Sequence, residues 1–306
     1  MVTKDDQAMA WRFERVAGPY QGPTGGVAWD GEAMLFSVPN EGRIMRFNAT
    51  TGAIGEYRRY MNRVNGLGFG ADGDFYGCQE GSRRIVQFHP DGSTTTTATW
   101  LDGKIHNYPS DLVVDKAGRV WFSDPCNATP AIGIYRPPLD HASVLRLERD
   151  QGAWRLVRVT RDTNAPRAVL LSADETILYV SEGDSRGERN CALRSYPVNA
   201  DGSVGPYEEL HAFGIDHRGT HRGIEGMCLD SGHNIVACAG SRQSGPGPLV
   251  YVFSPGGVVL EAHPLPFDMP MRCAFGDADL CSLYVTSGDG GVYRAKTERK
   301  GLLKRQ

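Results

Sequence analysis

Six times along the chain a short apolar run ends on a hydrophobic residue, and no other feature restricts the fold as tightly. The runs end at Trp29, Phe69, Val114, Leu171, Leu229 and Phe275, at intervals of 40, 45, 57, 58 and 46 residues. Self-similarity with a period of about 40–50 residues marks a repeat architecture, in which each copy is one supersecondary unit. Most runs lead into a turn pair such as Asp30-Gly31, Asp72-Gly73, Ala117-Gly118 or Ser231-Gly232. Glycine accepts the positive φ that a tight hairpin demands. A second apolar run follows, and then a third of the kind Arg43-Ile44-Met45-Arg46-Phe47. Its alternation turns one face to a core and the other to solvent. No stretch carries helical periodicity.

Repeats of three or four antiparallel strands in this number define an all-β protein, a six-bladed β-propeller. A pair of β-sandwiches is the competing arrangement, and the shared offset of the six copies argues against it. The blades begin near residues 25, 65, 110, 167, 225 and 271 of a single domain spanning 1–306, with 296–306 as a polar tail. The sixth copy has three clear strands. The alternating segment at residues 11–16, Trp-Arg-Phe-Glu-Arg-Val, is expected to supply the missing one from the other end of the chain.

Composition narrows the partners. The formal net charge is −3, and the only basic block is the short stretch 296–305, read as a solvated end. Nucleic-acid binding needs a concentrated positive face, so it is excluded as the main role. No apolar run approaches the ~18 residues that span a bilayer. The first residues carry no apolar leader, and seven cysteines are scattered without a CxxC pair. That usage fits free thiols in a reducing compartment, and a cytoplasmic protein is expected.

In a propeller the innermost strand of each blade lines a central channel. The residue four places before the end of each apolar run then stands at one mouth. Gly25, Asn65, Ser110, Arg167, Glu225 and Met271 should form a ring there. Ligand sites collect where several elements converge on one concave place, and the loops ahead of these positions are the most individual parts of the chain. Glu225 and Arg167 together could move a proton and hold an oxyanion, which makes them the leading catalytic candidates. His221 and His106, on the loops 213–223 and 104–109, are the acid/base candidates because imidazole titrates near neutral pH. His217 lies four residues before His221, but Gly219 between them argues for a loop rather than a metal-binding helix. Ser110, Asn65, Asn107, Tyr108, His217, Arg222 and Arg272 are expected to contact a small-molecule substrate. Strand alternation turns Asp111 away from the channel, into a structural hydrogen-bonding role.

Val27-Ala28-Trp29-Asp30-Gly31, Asn65-Gly66-Leu67, Pro109-Ser110-Asp111-Leu112 with Phe122-Ser123-Asp124-Pro125, and Cys273-Ala274-Phe275-Gly276 with Leu283-Tyr284-Val285-Thr286 resemble the blades of the gluconolactonase, senescence-marker-protein and luciferin-regenerating-enzyme family. The resemblance covers nearly the whole chain. It implies a six-bladed propeller with lactone or ester hydrolysis as the default activity and one divalent cation, Ca²⁺ or Zn²⁺, over the channel. The family's four metal-site positions fall on Gly25, Ser110, Arg167 and Glu225, so Glu225 alone keeps a ligating carboxylate. A hard cation wants six or more oxygens, or about four donors for Zn²⁺, and a guanidinium repels it. The expectation is therefore a chain without a metal cofactor, in which Arg167 supplies the fixed positive charge. Three functions stay open: a lactonase-like hydrolase, a metal-independent ring-opening enzyme, lyase, isomerase or condensing enzyme using Arg167 and Glu225, and a non-enzymatic binding propeller.

Overall fold

The computed structural model describes residues 10–126, 139–183 and 190–303. Six four-stranded antiparallel sheets are arranged as the blades of a propeller, and among the described residues the only helical pieces are two single 3₁₀ turns, Pro39–Glu41 and Glu80–Ser82. Among the described residues no helix is long and apolar enough to cross a membrane. Blade 1 shows the plan, running outward from the channel as Val27–Trp29, Met34–Val38, Arg43–Phe47 and Ile54–Arg58. Blade 6 is completed from both ends of the chain. Pro270–Gly276, Ser282–Ser287 and Val292–Lys296 take Glu14–Ala17 as their outermost strand, with Glu14 opposite Arg294 and Arg15 opposite Tyr293. Trp11, just ahead of that strand, stacks on His263 of blade 5 with ring centroids 3.9 Å apart.

An apolar wedge fills each junction between neighbouring blades. Trp29, Phe36 and Phe47 meet Tyr284 between blades 1 and 6, and Trp121 and Val144 meet Val169 and Tyr196 between blades 3 and 4. Each large side chain buried in this way is worth about 1.5–3 kcal/mol. The outermost strands were the least visible in the sequence because they lack alternation: Thr94–Thr96 is exposed throughout and Ile54–Arg58 nearly so.

Aspartates tie the turns at the lower end. Asp30 Oδ1 accepts the N–H groups of Glu32 and Ala33 at 2.8 and 2.7 Å, and Asp115 Oδ1 accepts those of Ala117 and Arg119 at 3.0 and 2.9 Å. Gly73 and Gly118 take positive φ, 89° and 75°, as their turns require. In blade 5 the left-handed residue is His233 rather than Gly232, with φ 66°.

The polar tail departs from expectation. Thr297 and Gly301 are buried, Gly301 bridges Asp230, and the Leu302 N–H donates to the Leu229 carbonyl at 3.1 Å. Arg299 adds ion pairs to Asp230 and Glu261. Backbone pairing thus lays the tail, through Leu303, across the lower end of the channel instead of leaving it solvated. Its last residues, 304–306, lie outside the described residues.

Candidate active site

Every inner strand enters its blade through the same irregularity. In blade 3 the Ser110 N–H donates to the Ser123 carbonyl, while the Ser123 N–H donates to the Asp111 carbonyl, both at 3.0 Å. Two residues therefore stand opposite one, which is a β-bulge. Blade 1 repeats this with Gly25 and Gly26 opposite Ser37. Register skips mark the same place in blades 2, 4, 5 and 6, at Asn65-Gly66, Arg167-Ala168, Glu225 and Met271-Arg272. The first bulge positions make the predicted ring. The second positions lie against the next blade: a Cβ on Gly26 would sit 2.3 Å from the Asn65 carbonyl oxygen, and one on Gly226 would sit 2.6 Å from Arg272 Cα.

Two blades break that rule of small residues. Asp111 and Arg272 occupy second positions, and their side chains meet across the channel with Arg272 Nε 3.2 Å from Asp111 Oδ1. Arg272 is 4% exposed. Its Nη2 donates to Ser110 Oγ at 2.9 Å and to the Ser110 carbonyl at 3.2 Å, and its Nη1 donates to the Glu225 carbonyl. Asp111 Oδ2 accepts the Val169 N–H at 3.2 Å. The expectation that Asp111 points away from the channel is thus corrected, because the bulge abolishes the alternation on which it rested. Burial pushes the Asp111 carboxyl up from the usual carboxylate range, opposed by Arg272 and by backbone N–H groups.

Arg222, ahead of the blade 5 bulge, is the nearer ion-pair partner of Glu225. Its Nη2 lies 3.3 Å from Glu225 Oε1, and Arg272 Nη1 lies 4.0 Å from Oε2. Carbonyls hold Arg222 in place: Nη1 donates to Pro270 and Gly240 at 2.9 and 3.2 Å, while Nη2 touches Met271 Sδ at 3.1 Å. Arg167 is half-buried on the ring, with its carbonyl accepting Ser123 Oγ at 2.9 Å. Asn65 is half-buried as well, and its Oδ1 is a buried acceptor without a hydrogen-bond partner.

Two of the three candidate histidines have acidic partners. His106 is fully buried, with Nδ1 3.1 Å from Asp124 Oδ1 and its ring edge-on to Phe122. The neighbouring Asn107 N–H donates to Asp124 Oδ2 at 2.6 Å, and the Asn107 amide donates to the His141 carbonyl at 2.8 Å. Arg83 binds the carbonyls of Ile105, His106 and Asn107 and lies 5.4 Å from the Tyr108 ring centre. His106, Asn107 and Tyr108 thus pin the loop 104–109, and His106 has no open surface from which to act as an acid or base. His221 packs against Gly245 with its Nε2 3.5 Å from Asp216 Oδ2, and His217 is exposed on the hairpin formed by Ile215–Asp216 and Gly219–Thr220.

A divalent cation does not fit these residues. Ser110 Oγ is taken by Arg272, and two guanidinium groups flank Glu225. A side chain at Gly25 would meet Asn65 Oδ1 at 2.7 Å from its Cβ. Among the described residues no group of three His, Cys, Asp or Glu side chains can hold a metal. The pair Asp111–Arg272 escaped the sequence reading, although a signal existed: charges at two positions where the other blades carry Gly or Ala.

These features define a six-bladed propeller with a charged cluster at one mouth of its channel. The chain belongs to the SMP-30/gluconolactonase/LRE-like family, whose profile matches residues 23–289. It is 29% identical over 244 residues to a gluconolactonase of Zymomonas mobilis, covering 78% of this chain and 64% of that protein. It is 28% identical over 194 residues to a 6-deoxy-6-sulfogluconolactonase of Pseudomonas putida, covering 60% and 55%. The match thus spans less than two thirds of the length of either relative. A solved gluconolactonase structure from Xanthomonas campestris superposes with a TM-score of 0.75 at 22% identity, over 96% of this chain and 93% of that one.

Proposed function

We propose that the chain is a cytoplasmic lactonase-type hydrolase that opens a small cyclic ester at the upper mouth without a divalent metal. The observation that carries this reading is the Glu225 carboxylate, half-buried on the ring and held 3.3 Å from the fixed Arg222 guanidinium. The arginine beside it fixes the orientation of the carboxylate, which is what a positioned base needs. Glu225 takes a proton from water as that water attacks the lactone carbonyl carbon. The oxyanion that develops is stabilised by Arg167, whose planar fork offers several donors. When the tetrahedral adduct collapses, the bond from the carbonyl carbon to the ring oxygen breaks, that oxygen takes the proton back from Glu225 and leaves as an alcohol, and the product is the open hydroxy acid. Asn65, half-buried on the ring, is the candidate contact for a substrate hydroxyl. Arg272, filling the channel below, closes the floor and fixes Ser110 and the Glu225 backbone.

Hydrolysis of a panel of five- and six-membered sugar lactones, followed by acid release in the presence of chelator, tests the reading. Turnover by the native chain and its loss in Arg167→Lys are expected, since a point charge does not copy the fork. Binding of lactones without turnover would instead favour a non-enzymatic propeller.

A further inference from the structure

Directly beneath the ring, two thiols from neighbouring blades touch. Cys228 lies on the blade 5 strand Ile224–Leu229, three residues after Glu225, and Cys273 follows Arg272 on the blade 6 strand Pro270–Gly276. Their sulfurs are 3.7 Å apart, and both cysteines are free. We infer that Cys228 and Cys273 form an oxidisable pair, and that their closure to a disulfide disables the mouth above them. The effect on activity rests on the proposed hydrolase reading; the cross-link does not.

Reagent access comes from below. Cys228 is half-buried and, with Cys273, lines a cavity of about 210 Å³ in the lower channel. Trp29, Leu112, Phe275 and Leu302 bound it, and Arg272 and Asp111 lie at its inner end. One water needs only about 10–15 Å³ of such space, and a peroxide is little larger. The chemistry balances with hydrogen peroxide as oxidant. The Cys228 sulfur attacks one peroxide oxygen and becomes a sulfenic acid as the O–O bond breaks and the other oxygen leaves as water. The Cys273 sulfur then attacks the Cys228 sulfur, the S–O bond breaks, and a second water departs. Two thiols lose two electrons and two protons, and the peroxide is reduced to two waters.

Closure cannot be neutral for the ring. An S–S bond is about 2.05 Å long, so the sulfurs must approach substantially. The two strands are already in contact, since a Cβ on Gly226 would be 2.6 Å from both Arg272 Cα and the Met271 carbonyl oxygen. Cys273 also gives up its contacts to the Gly226 and Val236 carbonyls, at 3.8 and 3.5 Å. Strain of this kind falls on Arg272, next in the chain, and through its Nη1 on the Glu225 carbonyl.

The test treats the purified chain with hydrogen peroxide, blocks the remaining thiols, and maps the proteolytic peptides by mass. A peptide linking Cys228 to Cys273, lighter by two hydrogens, is expected. Lactone turnover should fall at least tenfold and return with dithiothreitol. Cys228→Ser, and Cys228→Ala should the serine variant fold poorly, should keep their activity through the same treatment. Absence of the linked peptide overturns the proposal. So does a linked protein with full turnover, or an equal loss in the Cys228 variants, which would put the sensitivity at Cys126, Cys281 or another thiol. If no lactone is turned over by the untreated chain, the hydrolase reading fails on its own. The linked peptide and a shifted melting temperature then decide whether the pair closes.

Discussion

Blades 3 and 6 differ from the other four at one position, the second residue of the bulge where the inner strand begins. Blades 1, 2, 4 and 5 carry Gly26, Gly66, Ala168 and Gly226 there, and the glycines in particular lie flush against the next blade. Blades 3 and 6 carry Asp111 and Arg272, buried and paired at 3.2 Å. The bulge is thus a scaffold with two uses. With a small residue it is a packing joint, and with a charged one it sends a side chain into the channel. Because one residue is added to each strand, the ring at the mouth and the layer beneath it can vary independently. In this chain the ring keeps one carboxylate, Glu225, while the layer beneath supplies an internal cation.

The largest expected effect comes from breaking the charged joint. Arg272→Ala leaves Asp111 buried without its partner and should lower unfolding stability by about 3–5 kcal/mol, read from denaturant curves. Replacing Arg272 and Asp111 together by leucine should return most of that stability while leaving turnover impaired, since the floor under Ser110 and Glu225 is gone. Next comes the ring. Glu225→Gln should fold normally and lose about 10²-fold or more in turnover, the usual scale for removing a general base. A variant with native turnover would make Glu225 a structural ion-pair residue only.

The small joints give a smaller effect. Gly226→Ala places a methyl group against Arg272 Cα and the Met271 carbonyl, and should cost about 1–3 kcal/mol by overpacking. Gly55, around whose Cβ position there is nothing within 4 Å, should accept alanine without loss and serves as the control. The smallest effect contrasts two aspartates. Exposed Asp174, at a turn, has its pKa lowered to about 2 by hydrogen bonds from Ser172 and Thr176, the opposite direction from buried Asp111. A depressed carboxyl stabilises the fold above its unfolded pKa and loses that contribution as pH falls through the folded value. Asp174→Asn should therefore be less stable than the parent near pH 6, with the gap closing toward pH 2. Solvent screening keeps the gap to a few tenths of a kcal/mol.

The blade plan was legible in the sequence because it rests on local patterns. Apolar runs, turn glycines and alternation recur with the repeat, and even the closing strand from the N-terminal side announced itself by its alternation. The outer strands were silent because Thr94–Thr96 and its counterparts face solvent. Of the channel mouth, the ring positions were legible. Counting back from the apolar runs placed Glu225 and Arg167 at their bulges, and the same count placed Asp111 wrongly because strict alternation fails at a bulge. His106 misled for a related reason: a titratable residue in a loop suggests exposure, but Asp124 and Arg83 draw that loop inward. Charged pairing between Arg222 and Glu225 depends on how the blade 5 strand turns into the channel, and sequence spacing does not encode that.

The most direct measurement is the metal content of the purified chain by elemental mass spectrometry, with melting temperature and lactone turnover recorded before and after exhaustive chelation. If Arg167 supplies the fixed positive charge in the cation's place, the protein carries no stoichiometric Ca²⁺ or Zn²⁺, and neither melting temperature nor turnover changes. A tightly held divalent ion, with activity lost on chelation and restored by adding it back, would contradict the account.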